Sequence, residues 1–303
     1  MNLWPYPPGN RVVWHRCIHD MQTNIMESMR ANFVSENLHS SIPLLHVDPA
    51  YHGNFGDTLI SYGEKVLIER LGFKNSTECG IVSSVNKNQA CKNFSAFENG
   101  PGIAFWHGGG NWGDLWTYKS LHLRRMETMT ELVSKGYNVI GMTQSFYYKD
   151  LARAVEDAKV WGNALLQANV TKTMSKRMIT LAWRQQNSFE RALELYPFVN
   201  NVKLPDVAFM VGPLPDTDKW SSIKEKYDVL FLLRQDYESV IMKETKDKPE
   251  KYIEKLILAN RMTKRLKFKV ADWYSNKWEF LNKSISNPSA DVDLEYKVLN
   301  VYN

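Results

Sequence analysis

From residue 43 onward, short apolar runs alternate with stretches whose apolar residues recur at helical spacing, and turns bearing glycine separate the two. Leu44-Leu45-His46-Val47-Asp48 predicts a strand, and Gly53-Asn54-Phe55-Gly56-Asp57 a turn after it. Leu59, Ile60, Val66, Leu67, Ile68 and Leu71 then share one broad face of a helix over 58–71, which Asp57 is placed to cap and Gly72 to end. The pattern repeats with a strand at Ile103-Ala104-Phe105-Trp106, a glycine-rich segment at 107–114, and a helix over 118–134 stopped by Gly136. A strand over 137–142 runs into Thr143-Gln144-Ser145, and a helix over 151–168 follows. Then come a strand over 178–183 leading into Arg184, a helix over 188–196 closed by Pro197, and a strand over 205–211 ended by Gly212-Pro213. Strands alternating with helices predict a mostly parallel sheet covered on both faces, so 43–212 reads as one α/β domain.

Residues 1–42 read as an N-terminal extension. Pro5, Pro7, Pro8, Arg11, His15, Arg16 and Asp20 interrupt its first part, which holds no apolar run of signal-peptide length and no membrane span. Residues 213–227, with Pro213, Pro215 and many charged or polar positions, read as a linker. A new unit begins with a strand over 229–233 that runs into Arg234, a basic helix over 248–266 and a strand over 268–273. The pattern then stalls, so 228–303 reads as a partial second α/β domain.

Composition narrows the class. Of 303 residues, 44% are hydrophobic and 23% charged, which excludes a wholly disordered chain, a collagen and a membrane bundle. The net charge of +5 is modest beside the excess that nucleic-acid binders concentrate. The basic run from Lys243 to Lys269 carries ten basic and four acidic residues with only Tyr252 and Phe268 between them, so it reads as a solvated face and no nucleic-acid partner is expected. Cys17, Cys79 and Cys91 are too few for a disulfide framework, and the last two are not at zinc-ligand spacing; burial is the expected role of all three. No metal-ligand cluster is visible. Four sequons begin at Asn75, Asn93, Asn169 and Asn282 and matter only in a secretory compartment.

In a parallel sheet, ligands sit outside the carboxyl ends of the strands. Gly53-Asn54-Phe55-Gly56-Asp57 and His107-Gly108-Gly109-Gly110-Asn111 both fall at that edge. Glycine lets backbone N–H groups approach an anion closely, and a helix start adds partial positive charge, so each loop suits a phosphate or a carboxylate; tight-turn packing is the competing reading. Neither loop is a Walker loop or a dinucleotide fingerprint. Helix capping competes with a chemical role for Asp57 and Asp114. His107 stands at a strand end, where a ligand role and a structural one are equally open, while His46 and His52 read as structural. Arg184 and Arg234 each end an apolar strand, where a guanidinium can fork onto phosphate or carboxylate or form a rim salt bridge with a neighbour such as Glu190 or Asp236.

Taken in order, these segments resemble the polysaccharide pyruvyl transferase family. The resemblance rests on His52-Gly53-Asn54-Phe55-Gly56-Asp57-Thr58-Leu59-Ile60 and Phe105-Trp106-His107-Gly108-Gly109-Gly110-Asn111-Trp112-Gly113-Asp114. Further matches are Thr143-Gln144-Ser145-Phe146, Trp183-Arg184 through Ser188-Phe189-Glu190, and Pro205-Asp206-Val207-Ala208-Phe209. Leu232-Leu233-Arg234-Gln235-Asp236 and Val270-Ala271-Asp272-Trp273 resemble the opening of the family's second domain.

The resemblance implies two Rossmann-like α/β domains in a GT-B-like arrangement, the second incomplete here. It implies transfer of the enolpyruvyl unit of phosphoenolpyruvate to two hydroxyls of a sugar, giving a pyruvate ketal on a glycan. Phosphoenolpyruvate is the donor and a glycan or sugar the acceptor, with no cofactor and no metal. Arg234 becomes the candidate catalytic residue. Asn54, Gly56, Asp57, His107, Gly108, Gly109, Gly110, Asn111, Gln144, Ser145, Arg184 and Ser188 become candidate donor-binding residues. The family's late Arg-Leu-His-Gly motif is missing, and all seven histidines lie at or before His122. The chain therefore reads as a member lacking most of its second domain, with weak or no turnover expected. An inactive sugar- or phosphate-binding homologue and a nucleotide-sugar glycosyltransferase are the alternatives. No integral membrane segment is expected; cytoplasm is the default location and the Golgi lumen the alternative.

Overall fold

The structure is a computed structural model and describes residues 11–33, 42–50, 54–73, 76–81, 90–91, 100–115, 118–212, 229–232 and 268–271. The chain divides into two compact units, Met1–Ala50 with Leu59–Pro213, and Tyr51–Thr58 with Leu214–Asn303.

The first unit is an α/β fold around one parallel sheet. Its strands are β1 (Leu44–Val47), β2 (Ser76–Cys79), β3 (Ile103–Trp106), β4 (Gly109–Gly113), β5 (Asn138–Tyr147), β6 (Ile179–Trp183) and β7 (Asn200–Lys203). The order is β2-β1-β3-β5-β6-β7, with β4 also paired to β5, and every pairing is parallel. β1, β3 and β6 are buried at every position, as strands covered on both faces must be. Alternation then divides their side chains between two cores. Leu45, Val47, Ala104, Trp106, Leu181 and Trp183 face one layer, with α3 (Arg124–Ser134) and α4 (Leu151–Gln167). Leu44, Ile103, Phe105 and Ala182 face the other, with α1 (Arg11–Phe33) and α2 (Phe55–Arg70). A doubly wound, Rossmann-like sheet results. β1 leads through α2 to β2 on one side, while β3 lies on its other side, so the strand order reverses between β1 and β3.

Several elements differ from the sequence reading. The first 42 residues include α1, whose Ile25 and Met29 are buried against the sheet. Glycine-rich 109–113, read as part of a loop, is strand β4, and β5 runs on through Thr143-Gln144-Ser145 to Tyr147. The helix expected over 118–134 starts as a π-helical turn, Tyr118–Leu123. The segment read as a strand over 205–211 is a 3₁₀ helix, Val207–Val211. Asp206 caps it by accepting from Ala208 N at 3.0 Å, and Val207 and Met210, three apart, are both buried. A Cβ on Gly63 would overlap the Val207 carbonyl oxygen, so the glycine lets α2 lie directly against this helix. β2 and β7 are outer strands of polar sequence and escaped the apolar pattern. Two short helices, α5 (Lys172–Met178) and α6 (Gln186–Leu195), flank β6.

Burial is not the role of all three cysteines. Cys79 and Cys91 form a disulfide, and Cys17 is exposed. β2 delivers Cys79, and the bridge between Gly80 and Ala90 with Cys91 N donating to Gly80 O at 3.0 Å brings its partner alongside.

In the second unit, β8 (Val229–Leu232) and β9 (Phe268–Ala271) pair in parallel. The linker and the basic helix over 248–266 lie outside the described residues, as does Arg234.

Candidate functional site

A buried acid and two histidines meet at the strand-order reversal. Glu64 follows Ile60 by four residues and precedes Leu67 and Ile68, so α2 turns its carboxylate inward with them. β1 supplies His46 and the end of β3 supplies His107. The fully buried Glu64 carboxylate receives three donors: His46 Nε2 at 2.8 Å, His107 Nδ1 at 3.0 Å and Gly108 N at 2.8 Å. Burial opposes its ionisation, but the charge and hydrogen bonds of His107 and His46 outweigh that and hold it down at about 2. Burial likewise disfavours the His46 cation, but its hydrogen bond to Glu64 and the nearby Glu78 carboxylate, 3.8 Å from Nδ1, raise it to about 9.

The carboxylate also fixes the His107 ring. A carboxylate only accepts, so the His107 proton sits on Nδ1. Its Nε2 is buried and has no hydrogen-bond partner among the described residues. Ser61 Oγ lies 3.3 Å from the same Nδ1 and accepts from Ala50 N at 2.7 Å. Gly108 is required by contact. A Cβ there would lie 2.8 Å from Thr143 O and 3.4 Å from Glu64 Oε1. Its N–H goes to Glu64, so Gly108 holds the dyad rather than offering that donor to an anion.

Gln144 links this cluster to Arg184. Its side chain donates to His107 O at 2.6 Å, and its carbonyl accepts from Arg184 N at 3.2 Å. Gln144 Oε1 is buried and has no partner among the described residues. Arg184 donates to Ser145 Oγ at 2.7 Å and to Asp206 Oδ2 at 2.6 Å. Its other terminal nitrogen faces Gly110, whose absent Cβ would stand 3.9 Å away. Arg184, Lys203, Asp206, Asn24 and Phe209 line a cleft of about 600 Å³ at the carboxyl ends of β6 and β7. Another cleft, of about 500 Å³, lies on the outer side of α4 and α6 away from those strand ends; its walls include Val155, Leu166, Leu195 and Phe198.

The fold thus brings His107, Gly108, Gly110, Gln144, Ser145 and Arg184 to one edge of one sheet. Gly109 belongs to β4, opposite Gln144, and Asn111 lies in the same strand. Ser188 is tied up, accepting from Phe146 N at 3.1 Å and donating to Gln185 Oε1 at 3.2 Å. In the second unit Asn54, not Asp57, acts as the cap: α2 starts at Phe55 and Asn54 Oδ1 accepts from Gly56 N at 3.0 Å. Among the described residues, Asp114 caps no helix. It accepts from Lys149 N at 2.8 Å, holding the turn after β5.

Sequence reasoning missed Glu64 and left His46 as merely structural. The signal was there: an acid on the apolar stripe of a helix needs a buried partner. It also missed Asp48, at the end of β1 with φ of 58°, whose Oδ1 accepts from Ile81 N at 2.9 Å and whose Oδ2 lies 3.9 Å from Arg125 Nε. Burial pushes its carboxyl up, with Arg125 opposing. A further polar core joins Gly113 N, His122, Tyr148 and Asp157. His122 Nδ1 accepts from Gly113 N at 3.2 Å, its Nε2 lies 2.6 Å from Tyr148 OH, and that hydroxyl donates to Asp157 at 3.0 Å. Burial depresses His122 to about 3, so it is neutral there.

Among the described residues, no helix is long and apolar enough to cross a membrane, and no three His, Cys, Asp or Glu side chains gather to hold a metal ion. No family model matches the chain, and no curated protein matches it. Among solved structures it is similar to an uncharacterized protein from Klebsiella pneumoniae subsp. pneumoniae NTUH-K2044. The two are 16% identical with a TM-score of 0.42, over 72% of this chain and 66% of that one, just under two thirds of its length. A likeness at that level carries no weight for fold or function.

Proposed function

We propose that this chain is a pyruvyl transferase-like protein whose first unit takes phosphoenolpyruvate at the carboxyl edge of its sheet. The observation that carries the reading is the Gln144 bridge, which ties the backbone of His107 at the end of β3 to the backbone of Arg184 at the end of β6, two residues of the resembled motifs. Arg184, beside Gly110 and with Lys203 in the same cleft, suits the phosphate or carboxylate of the donor. His107, oriented by Glu64, suits proton transfer. In the reaction, two sugar hydroxyls bond to the central carbon of the enolpyruvyl unit and the bond from that carbon to the phosphate oxygen breaks. Of the two hydroxyl protons, one is balanced by the proton gained at the methylene carbon and the other leaves with phosphate. The GT-B-like pairing of two domains, and a role for Arg234, belong to the same proposal.

Titration calorimetry on the full chain tests it. Saturable binding of phosphoenolpyruvate is the expected result. Binding of nucleotide sugars with none of phosphoenolpyruvate would replace this reading with a glycosyltransferase. Phosphate release with a β-galactoside acceptor separates an enzyme from a binding protein, and weak or no turnover is expected of this chain.

A further inference from the structure

We infer that Asn169 is an N-glycosylation acceptor and that the chain folds in an oxidising secretory lumen. The inference is independent of the proposed function and rests on two features far apart in the fold.

The first is the Cys79–Cys91 disulfide. Both cysteines are buried, so the bond is built into the core under β2. Forming it removes two protons and two electrons from the thiols, which pass to a disulfide-bearing oxidant that leaves as a dithiol. Compartments rich in glutathione and thioredoxin keep thiols reduced, whereas a secretory lumen supplies that oxidant.

The second is the turn between α4 and α5. Asn169 ends α4 with φ of 60°, its N–H donating to Leu166 O at 3.0 Å and Val170 N to Leu165 O at 2.8 Å. Glycine is the commonest residue in that left-handed position, and asparagine is the side chain that tolerates it. The backbone alone closes the helix, and the Asn169 carboxamide is exposed with no hydrogen bond to a described residue. Thr171 completes Asn169-Val170-Thr171, is exposed, and caps α5 by accepting from Met174 N at 3.2 Å. A large polar group on Asn169 would therefore enter solvent without displacing a packed side chain. In the modification, Asn169 Nδ2 bonds to the anomeric carbon of a lipid-diphosphate-linked oligosaccharide. The bond from that carbon to the diphosphate breaks, the amide loses one proton and the lipid diphosphate leaves. The acceptor asparagines of the other three sequons, Asn75, Asn93 and Asn282, lie outside the described residues.

The test is peptide mapping of the full chain from its own cells. Free thiols are alkylated first, without reduction, and the glycans are then removed by an amidase in heavy-oxygen water. The expected result is a Cys79–Cys91 cross-linked peptide and an Asn169 peptide converted to Asp carrying the heavy label. An unlabelled Asn169 overturns the modification, and alkylated Cys79 and Cys91 overturn the oxidising lumen. Thr171→Ala should remove one glycan step on a gel and Thr171→Ser should keep it. An unchanged glycan count in Thr171→Ala also overturns the assignment.

Discussion

Glu64 Oε2 lies 3.0 Å from His107 Nδ1, although 43 residues separate the two and one belongs to a helix and the other to a strand end. That bond orients the ring, with the opposite nitrogen, Nε2, buried and without a hydrogen-bond partner among the described residues.

Removing the charge of Glu64 should destabilise the first unit. Glu64→Gln leaves the His46 cation with only Glu78, 3.8 Å from its Nδ1, at a cost of about 3–5 kcal/mol, the range for breaking one side of a buried ion pair. Urea unfolding of the variant against the unaltered chain measures it; a loss below about 1 kcal/mol would mean the cluster is not charged.

The same cluster sets a pH window. Glu64 is lowered from 4.5 to about 2, so its contribution is present above pH 4.5 and is lost as pH falls through about 2. His46 is raised from 6.5 to about 9, so its contribution is present below pH 6.5 and is lost as pH rises through about 9. The stability difference between the unaltered chain and Glu64→Gln should peak between pH 4.5 and 6.5 and shrink on both sides. A difference independent of pH would contradict the pairing.

Two glycines should part company. Gly108→Ala forces a Cβ to 2.8 Å from the Thr143 carbonyl and should cost about 1–3 kcal/mol by overpacking. Among the described residues Gly110→Ala meets only the Arg184 side chain, at 3.9 Å, so its melting temperature should hold while phosphoenolpyruvate binding weakens. Equal destabilisation of the two would remove Gly110 from the anion site.

Arg184→Ala should weaken phosphoenolpyruvate binding by about 1.5–3 kcal/mol, the range of a hydrogen bond to a charged group. Arg184→Lys should recover part of it, because the charge remains while the fork onto Ser145 and Asp206 is lost. Unchanged donor affinity in Arg184→Ala would leave that side chain as a brace between Ser145 and Asp206.

Reduction of Cys79–Cys91, or Cys79→Ala with Cys91→Ala, should lower stability by about 2–4 kcal/mol, since the bond closes a loop between residues 12 apart. Denaturation with and without reductant reads it directly.

The order of the main elements was legible in the chain because buried strands such as Ile103–Trp106 and Ile179–Trp183 are continuous apolar runs, a local property. The glycine loops, Gln144 and Arg184 were legible for the same reason, being tied to where those runs end. The outer strands were not, since Ser76–Cys79 and Asn200–Lys203 owe their form to a neighbouring strand rather than to their own hydrophobicity. Nor were the disulfide and the His46–Glu64–His107 cluster. Those depend on side chains far apart in sequence meeting where β1, α2 and β3 converge, and only the folded packing lowers the dielectric enough to make a carboxylate and a histidine hold each other charged.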